Sequence, residues 1–210
     1  MTDRADRKFI SATLLPILLH EGGLGFHDTG SWQVYDREGR RKYLDRAERA
    51  RFLTAADREP PAIRALCYLL LYCGCRVSEA LSVRRDQIDV AGAAVLLKTL
   101  KRRRRVYRRV PLPVTVINQM LEASANEAEI WPVHRATAWR WIVKVMRSAQ
   151  IEGPMACCRG ARHGFAMHAA AHNVPPNLLQ KWMGHASIET TAIYLDAAGC
   201  EEREFAQRMW

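Results

Sequence analysis

Apolar positions recur at helical spacing over most of this chain, with one short interval of strand-like alternation. From Tyr43 the pattern predicts a helix, with Asp45 as its cap and Ala47, Phe52, Leu53 and Ala56 on one apolar side. Pro60-Pro61 opens a second helix, at the position where proline costs least. Its body, Ile63–Cys73, is apolar nearly all round and so belongs in the middle of a core. Gly74 ends it, and a short helix is predicted over Val77–Val83. After a turn at Asp89–Gly92, Ala93–Lys98 and Val106–Val110 read as the two strands of a hairpin, although alternation in the second is imperfect. Helices resume from Pro113 to about Ala123 and again over 135–149. In the latter, Trp139, Ile142, Val143 and Met146 follow i, i+3, i+4, i+7, while Arg140, Lys144 and Arg147 line a different face. Three more are predicted at 161–172, at 175–183 after Pro175-Pro176, and at 188–197 behind Ser187, with a last one over 200–209. The fold class expected is mostly α with a small antiparallel β-hairpin (α+β).

A length of 210 residues suits one domain with a short extension. Residues 1–42, mixed in charge and punctuated by glycines, read as a partly ordered N-terminal extension, and 43–210 as the domain. The charge sharpens this picture. Lys and Arg number 32 against 22 Asp and Glu, a net of +10. Residues 98–109 carry +8 and residues 130–170 carry +5, which leaves −3 for all the others. A surface serving only solubility intersperses its signs, whereas this one concentrates a single sign in two segments, as a polyanion-binding surface does.

A membrane is the weaker polyanion candidate. The longest apolar run, Ala65–Cys75, falls well short of the ~20 residues a bilayer-spanning helix needs. Phe9–Leu19 superficially resembles an export signal, but it contains Pro16, follows two acids and lacks a small-x-small cleavage site. The cysteines Cys67, Cys73, Cys75, Cys157, Cys158 and Cys200 lack both disulfide-framework and zinc spacing, and read as reduced, mostly buried thiols of a cytoplasmic protein. His168 and His172 form at most a weak pair with no third ligand, and His163 reads with them as a packing or surface histidine, so no metal site is expected.

Several groups suit phosphate chemistry. Arg76 follows the buried helix at a Gly-Cys break, Arg162 stands at a helix start, Gly184-His185 occupies a tight turn, and Tyr194 lies nine residues beyond His185. The run Leu69-Leu70-Leu71-Tyr72-Cys73-Gly74-Cys75-Arg76-Val77-Ser78-Glu79-Ala80-Leu81 resembles the first signature of the tyrosine recombinase (phage integrase) family. Leu97-Lys98-Thr99 followed by Val110-Pro111-Leu112-Pro113 resembles that family's hairpin. Arg162-His163, Leu179 to Gly184-His185 and Thr190-Thr191-Ala192-Ile193-Tyr194 resemble its closing signature. Each motif alone is weak, but in this order and at these separations they are specific, and the resemblance covers about residues 43–205.

The resemblance implies a site-specific recombinase that breaks and rejoins double-stranded DNA without metal, ATP or any other cofactor. It implies that Arg76 and Arg162 grip the nonbridging phosphate oxygens, that Tyr194 attacks phosphorus to give a 3′-phosphotyrosyl link, and that Lys98 protonates the leaving 5′-oxygen. It further implies that His185 assists at the phosphate and that Glu79 orients the site. Lys101 is the alternative general acid, otherwise joining Arg102, Arg103, Arg104, Arg105 and Arg108 as DNA contacts, with Arg140, Lys144 and Arg147 as a second DNA-facing stripe. Partners implied are a homo-oligomer on DNA (a tetrameric synapse) and accessory DNA-bending proteins, in the cytoplasm at the nucleoid. Most of the family carries a helical DNA-binding domain ahead of the catalytic one, for which residues 1–42 leave no room; the chain then resembles either the shorter members, such as the fimbrial phase-switch inverting recombinases, or a truncated remnant. One catalytic position departs: where the family usually has His-x-x-Arg, the first residue is Arg159, which can donate to a phosphate but cannot act as a base near neutral pH, leaving His163 or His185 to help activate Tyr194. Two alternatives stay open, a DNA-binding protein of this fold with impaired cleavage and a type IB topoisomerase-like relaxing enzyme. The last helix is expected to cover its own core or to dock on a neighbouring protomer.

Overall fold

A computed structural model of the chain describes residues 33–99, 106–124 and 129–198, with 206, 207 and 209. In chain order the elements are α1 (Arg46–Ala56), α2 (Pro61–Cys73), α3 (Val77–Leu81), a 3-10 turn (Arg85–Gln87), β1 (Ile88–Asp89), β2 (Ala94–Thr99), β3 (Val106–Pro111), α4 (Val114–Ser124), α5 (Arg135–Ser148), α6 (Cys158–Ala171), α7 (Pro176–Met183) and α8 (Glu189–Ala198). The mostly helical class with a small antiparallel sheet is therefore what the chain forms. The tip segment holding Lys101, Arg102, Arg103, Arg104 and Arg105, and most of the helix expected over 200–209, lie outside the described residues.

The main core is organised around α2. Pro61 occupies its first turn, and Ile63, Leu66, Leu69, Leu70, Leu71 and Cys73 are buried around most of it, leaving Arg64, Tyr68 and Tyr72 as a partly buried stripe. Helices α1, α3, α4, α5 and α6 all pack against it. Gly74 closes it in the left-handed region (φ 62°), its N–H donating to the Leu70 carbonyl at 3.1 Å, and the Phe165 ring leaves no room there for a side chain. A second cluster gathers Phe165, Ala166, Leu179, Met183 and Tyr194 from α6, α7 and α8, with Val34 against them. Helix α1 starts with a reciprocal cap: Asp45 accepts from the Glu48 N–H at 2.8 Å and Glu48 accepts from the Asp45 N–H at 3.1 Å. Helix α8 starts at Glu189, one residue later than expected, so Ile188 stands at the cap position and the Ser187 hydroxyl accepts from the Glu189 N–H at 3.2 Å from just outside it.

The sheet order is β1-β2-β3, all antiparallel, with Leu97 opposite Arg108 and Lys98 opposite Tyr107. Three more expectations need correction. The buried face of α5 is Ala138, Ile142, Val145 and Met146, with Ala149 beyond, while Trp139 is half exposed. Both stripes have helical periodicity, and contact with α1, α2 and α3 selects the one with the smaller side chains. In α1, Ala47 is exposed, whereas Glu48 and Arg49 are buried. Helix α6 begins three residues before position 161, because extended Cys157 starts it without a side-chain cap and Gly160 lets it pass against the Met155 carbonyl.

Candidate active site

Two breaks in regular structure, after α2 and after α7, bring the cationic side chains together. Beyond Gly74, Arg76 is extended and begins α3; its backbone N–H donates to Glu79 Oε2 at 3.0 Å and its Nη1 to Glu79 Oε1 at 3.0 Å. Glu79 is fully buried. Arg108 of β3 reaches the same Oε2 with Nη2 at 2.7 Å, the Thr99 hydroxyl with Nη1 at 2.9 Å and the Trp182 carbonyl with Nε at 2.8 Å. Arg162 of α6 donates from Nη1 to the Gly74 carbonyl at 2.7 Å and from Nη2 to the Met183 carbonyl at 2.9 Å. Consecutive carbonyls at the end of α7 thus hold two different guanidiniums, and those of Gly74 and Met183 tie the two breaks to each other through Arg162.

Gly184 turns the chain at φ 66° and delivers His185 to the interior, where its Nδ1 lies 2.9 Å from the Thr191 hydroxyl. Tyr194 has no solvent exposure. Its ring lies nearly parallel to His185, at 15° and 6.2 Å between centroids, and 5.6 Å from His163. The Tyr194 hydroxyl is 2.8 Å from His163 Nδ1.

Charge is unevenly matched in this site: the guanidiniums of Arg76, Arg108 and Arg162 surround one carboxylate, Glu79. Burial raises the Glu79 carboxyl, but the Arg108 bond and charge, with Arg76 behind them, outweigh it and hold the group below its usual range, hence ionised. Arg162 is pulled down to about 10, by burial first and by Arg76 second, and still carries its charge at neutral pH. His163 is lowered to about 3 by burial and the Arg162 charge, and His185 to about 3 by burial and the charges of Arg162 and Arg76. Burial raises Tyr194 to about 12, with Arg162 and Arg76 pulling the other way. At neutral pH the phenol and both imidazoles are therefore uncharged beside an excess of fixed positive charge. Such a setting favours an anion that brings the missing negative charge.

Arg76, Glu79, Arg162, His185 and Tyr194 are thus gathered in one buried cluster. Lys98 sits half-buried on the other face of the ribbon from Leu97 and Thr99, and Arg159 is exposed on the first turn of α6. Among the described residues, no hydrogen bond or ion pair joins either of them to the cluster. Arg140, Lys144 and Arg147 lie on the exposed side of α5; Lys144 pairs with Glu59 at 2.8 Å and Arg140 bonds Thr137 at 3.1 Å. Arg108, expected among the DNA-facing cations, points inward with 4% of its side chain exposed, because Glu79 and the Trp182 carbonyl hold it there. Of the two histidines offered as helpers of Tyr194, it is His163, otherwise read as a packing or surface residue, that touches the phenol hydroxyl. Among the described residues no group of three or more His, Cys, Asp or Glu is arranged to hold a metal.

A model of the phage integrase family matches residues 42–199. The chain belongs to the phage integrase family. Among other members it is similar to a tyrosine recombinase of Thermosipho africanus, 26% identical over 149 residues that cover 67% of this chain and 52% of that protein. It is also similar to the tyrosine recombinase XerC of Nitrobacter winogradskyi, 30% identical over 170 residues covering 73% of this chain and 51% of that protein. The chain thus spans about half the length of the curated relatives it matches. In fold, the chain resembles the XerH site-specific recombinase in a post-cleavage complex with its palindromic difH substrate, with a TM-score of 0.68 at 20% identity, covering 79% of this chain and 52% of that one. It likewise resembles the catalytic domain of bacteriophage HP1 integrase, with a TM-score of 0.59 at 20% identity, covering 76% of this chain and 90% of that one.

Proposed function

We propose that this chain is the catalytic domain of a site-specific recombinase that cuts and rejoins double-stranded DNA through a 3′-phosphotyrosyl intermediate. The observation that carries this reading is the cluster of Arg76, Arg108 and Arg162 around Glu79, with the neutral Tyr194–His163 pair and His185 beside it. Arg76 and Arg162 neutralise the nonbridging oxygens as charge builds on phosphorus; Arg162 keeps three N–H donors beyond the two its carbonyls use. Tyr194 Oη forms the bond to phosphorus and the bond to the 5′-oxygen breaks. His163, 2.8 Å from the phenol oxygen, takes its proton once the bound phosphate's negative charge and the opening of the site offset the burial and the Arg162 charge that hold it low; Lys98 protonates the leaving 5′-oxygen, and His185 donates to the phosphate. Charge neutralisation by arginine replaces a metal in this scheme, and the phosphotyrosine retains the ester energy, so religation needs no ATP. With Tyr194 sealed from solvent, α8 must shift for the attack.

Exchange between two duplexes requires four strand cleavages, hence four protomers with one nucleophile each, a tetrameric synapse assisted by DNA-bending proteins. The enzyme works on DNA at the nucleoid. Lys101, Arg102, Arg103, Arg104 and Arg105, between β2 and β3 in sequence, and Arg140, Lys144 and Arg147 on α5 contact the DNA backbone. A second reading, DNA binding without cleavage, is favoured by Arg159 at the position of the family's histidine. The two are separated with a pool of nicked suicide duplexes carrying randomised cores. The recombinase reading expects strands that stay bound to the protein in denaturing electrophoresis and are lost in Tyr194→Phe. Binding of selected duplexes with no bound strand overturns it in favour of the second reading.

A further inference from the structure

The core-facing slots of β3 are filled by Arg108 and Val110, opposite Leu97 and Val95 of β2. An arginine in such a slot needs a reason. Its side chain is only 4% exposed, so it does not present its charge to a DNA phosphate at the surface. Stability is no sufficient reason either, since a buried ion pair commonly contributes no more than a well-packed apolar residue of similar volume.

Its bonds suggest another role. Nη2 holds Glu79, the carboxylate that fixes both the backbone and the guanidinium of Arg76. Nε holds the Trp182 carbonyl, one residue before the Met183 carbonyl that Arg162 uses and three before His185. Nη1 holds Thr99, the immediate neighbour of Lys98 on β2. The chain makes room for this side chain: a Cβ at Gly184 would stand 2.9 Å from Arg108 Cζ. One guanidinium therefore joins the hairpin to the α3 end that carries Arg76 and to the α7 end that carries His185.

We propose that Arg108 is a positioning residue, which docks the β2–β3 hairpin on the α3 and α7 ends and so sets where Lys98 stands relative to the phosphate gripped by Arg76 and Arg162. This rests on the recombinase reading, with Lys98 as the acid. Removing Arg108 leaves the nucleophile and the phosphate grip in place but releases the hairpin, so the step that suffers is protonation of the leaving 5′-oxygen.

The test measures single-turnover adduct formation on a duplex that the wild type captures from the randomised pool. The duplex is made in two forms, one natural and one with sulfur in place of the bridging 5′-oxygen at the cleaved phosphate. A thiolate leaves without being protonated, so the sulfur duplex does not need the acid. Arg108→Gln is expected to slow adduct formation on the natural duplex about 100-fold, the scale of a misplacement near 1 Å, with half-saturating DNA concentration unchanged. On the sulfur duplex at least about 10-fold of that loss should return, as for Lys98→Ala, since general acid catalysis contributes at least that much. Arg108→Lys, which keeps the charge in the slot but not the three-way fork, should show the same pattern more weakly, and serves as the measurement if Arg108→Gln does not fold.

Equal slowing on both duplexes overturns the proposal and leaves Arg108 a structural residue. Weaker DNA binding at an unchanged rate overturns it in favour of a DNA contact, and no slowing overturns it outright. If Lys98→Ala is not restored by sulfur, the Lys98 assignment fails and takes this proposal with it. If the wild type captures no duplex, it is the recombinase reading that has failed.

Discussion

Converting Glu79 to glutamine tests the electrostatic account of the site without touching the nucleophile. The carboxylate is fully buried and accepts from the Arg76 backbone, the Arg76 guanidinium and the Arg108 guanidinium, at 3.0, 3.0 and 2.7 Å. Glutamine is isosteric, yet it turns one acceptor oxygen into an NH2 group that must face a guanidinium donor. It also leaves Arg76, Arg108 and Arg162 with no counter-charge among themselves. Removing one partner of a buried ion pair costs about 3–5 kcal/mol. For a domain of this size, each kcal/mol lowers Tm by about 2–4 °C, so a fall of about 6–20 °C is expected by circular dichroism at pH 7. The same reasoning predicts that an added anion recovers part of the loss. Millimolar phosphate, against chloride at matched ionic strength, should raise Tm more in Glu79→Gln than in the wild type, because the three guanidiniums have then lost the one negative charge that offset them. A loss below about 1 kcal/mol, or an equal phosphate effect on both proteins, would refute the reasoning.

Other perturbations follow from the same geometry. Gly184→Ala meets both a left-handed backbone (φ 66°) and the Arg108 guanidinium 2.9 Å from the new Cβ; urea unfolding should show a loss of about 1–3 kcal/mol, and a loss under about 0.5 would mean that the turn adapts freely. His163 and His185 are held near 3, against an ordinary 6.5, so the unfolded chain takes up protons first as the pH falls. Their contribution is fully present above about pH 6.5 and declines toward pH 3, by up to about 4 kcal/mol for each histidine; a urea midpoint that does not fall between pH 7 and 5 contradicts their burial as neutral groups. Replacing Arg102, Arg103, Arg104 and Arg105 by glutamine should reduce the slope of log affinity for DNA against log salt by up to about 4, and an unchanged slope excludes the tip as a contact.

Much of this organisation was legible in the sequence because it is local. The all-apolar period of α2, the break at Gly74, the prolines opening α2 and α7 and the turn at Gly184 each carry their own signal. The grouping of Arg76, Arg162, His185 and Tyr194, which the fold gathers into one cluster, is not local; it was carried by the order and spacing of motifs that resemble the family's signatures. What escaped was decided across distance. The second strand alternated imperfectly because Arg108 fills a core-facing slot, and its partner Glu79 lies 29 residues away. His163 meets Tyr194 across 31 residues; its place after Arg162 marks it out from His168 and His172, but only the fold shows that the phenol is its partner. On α5 two apolar stripes overlap at Ile142 and Met146, and only packing against α1, α2 and α3 decides that Ala138 and Val145 turn inward while Trp139 faces solvent.

The central claim is that Tyr194 becomes bonded to DNA. The measurement that tests it most directly is mass spectrometry of the protein–DNA adduct after nuclease and protease digestion, using a nicked duplex captured from the randomised pool. The account predicts a nucleotide carried through its 3′-phosphate on the peptide that contains Tyr194, with no adduct in Tyr194→Phe. A nucleotide on any other residue, or an adduct that persists in Tyr194→Phe, would contradict it.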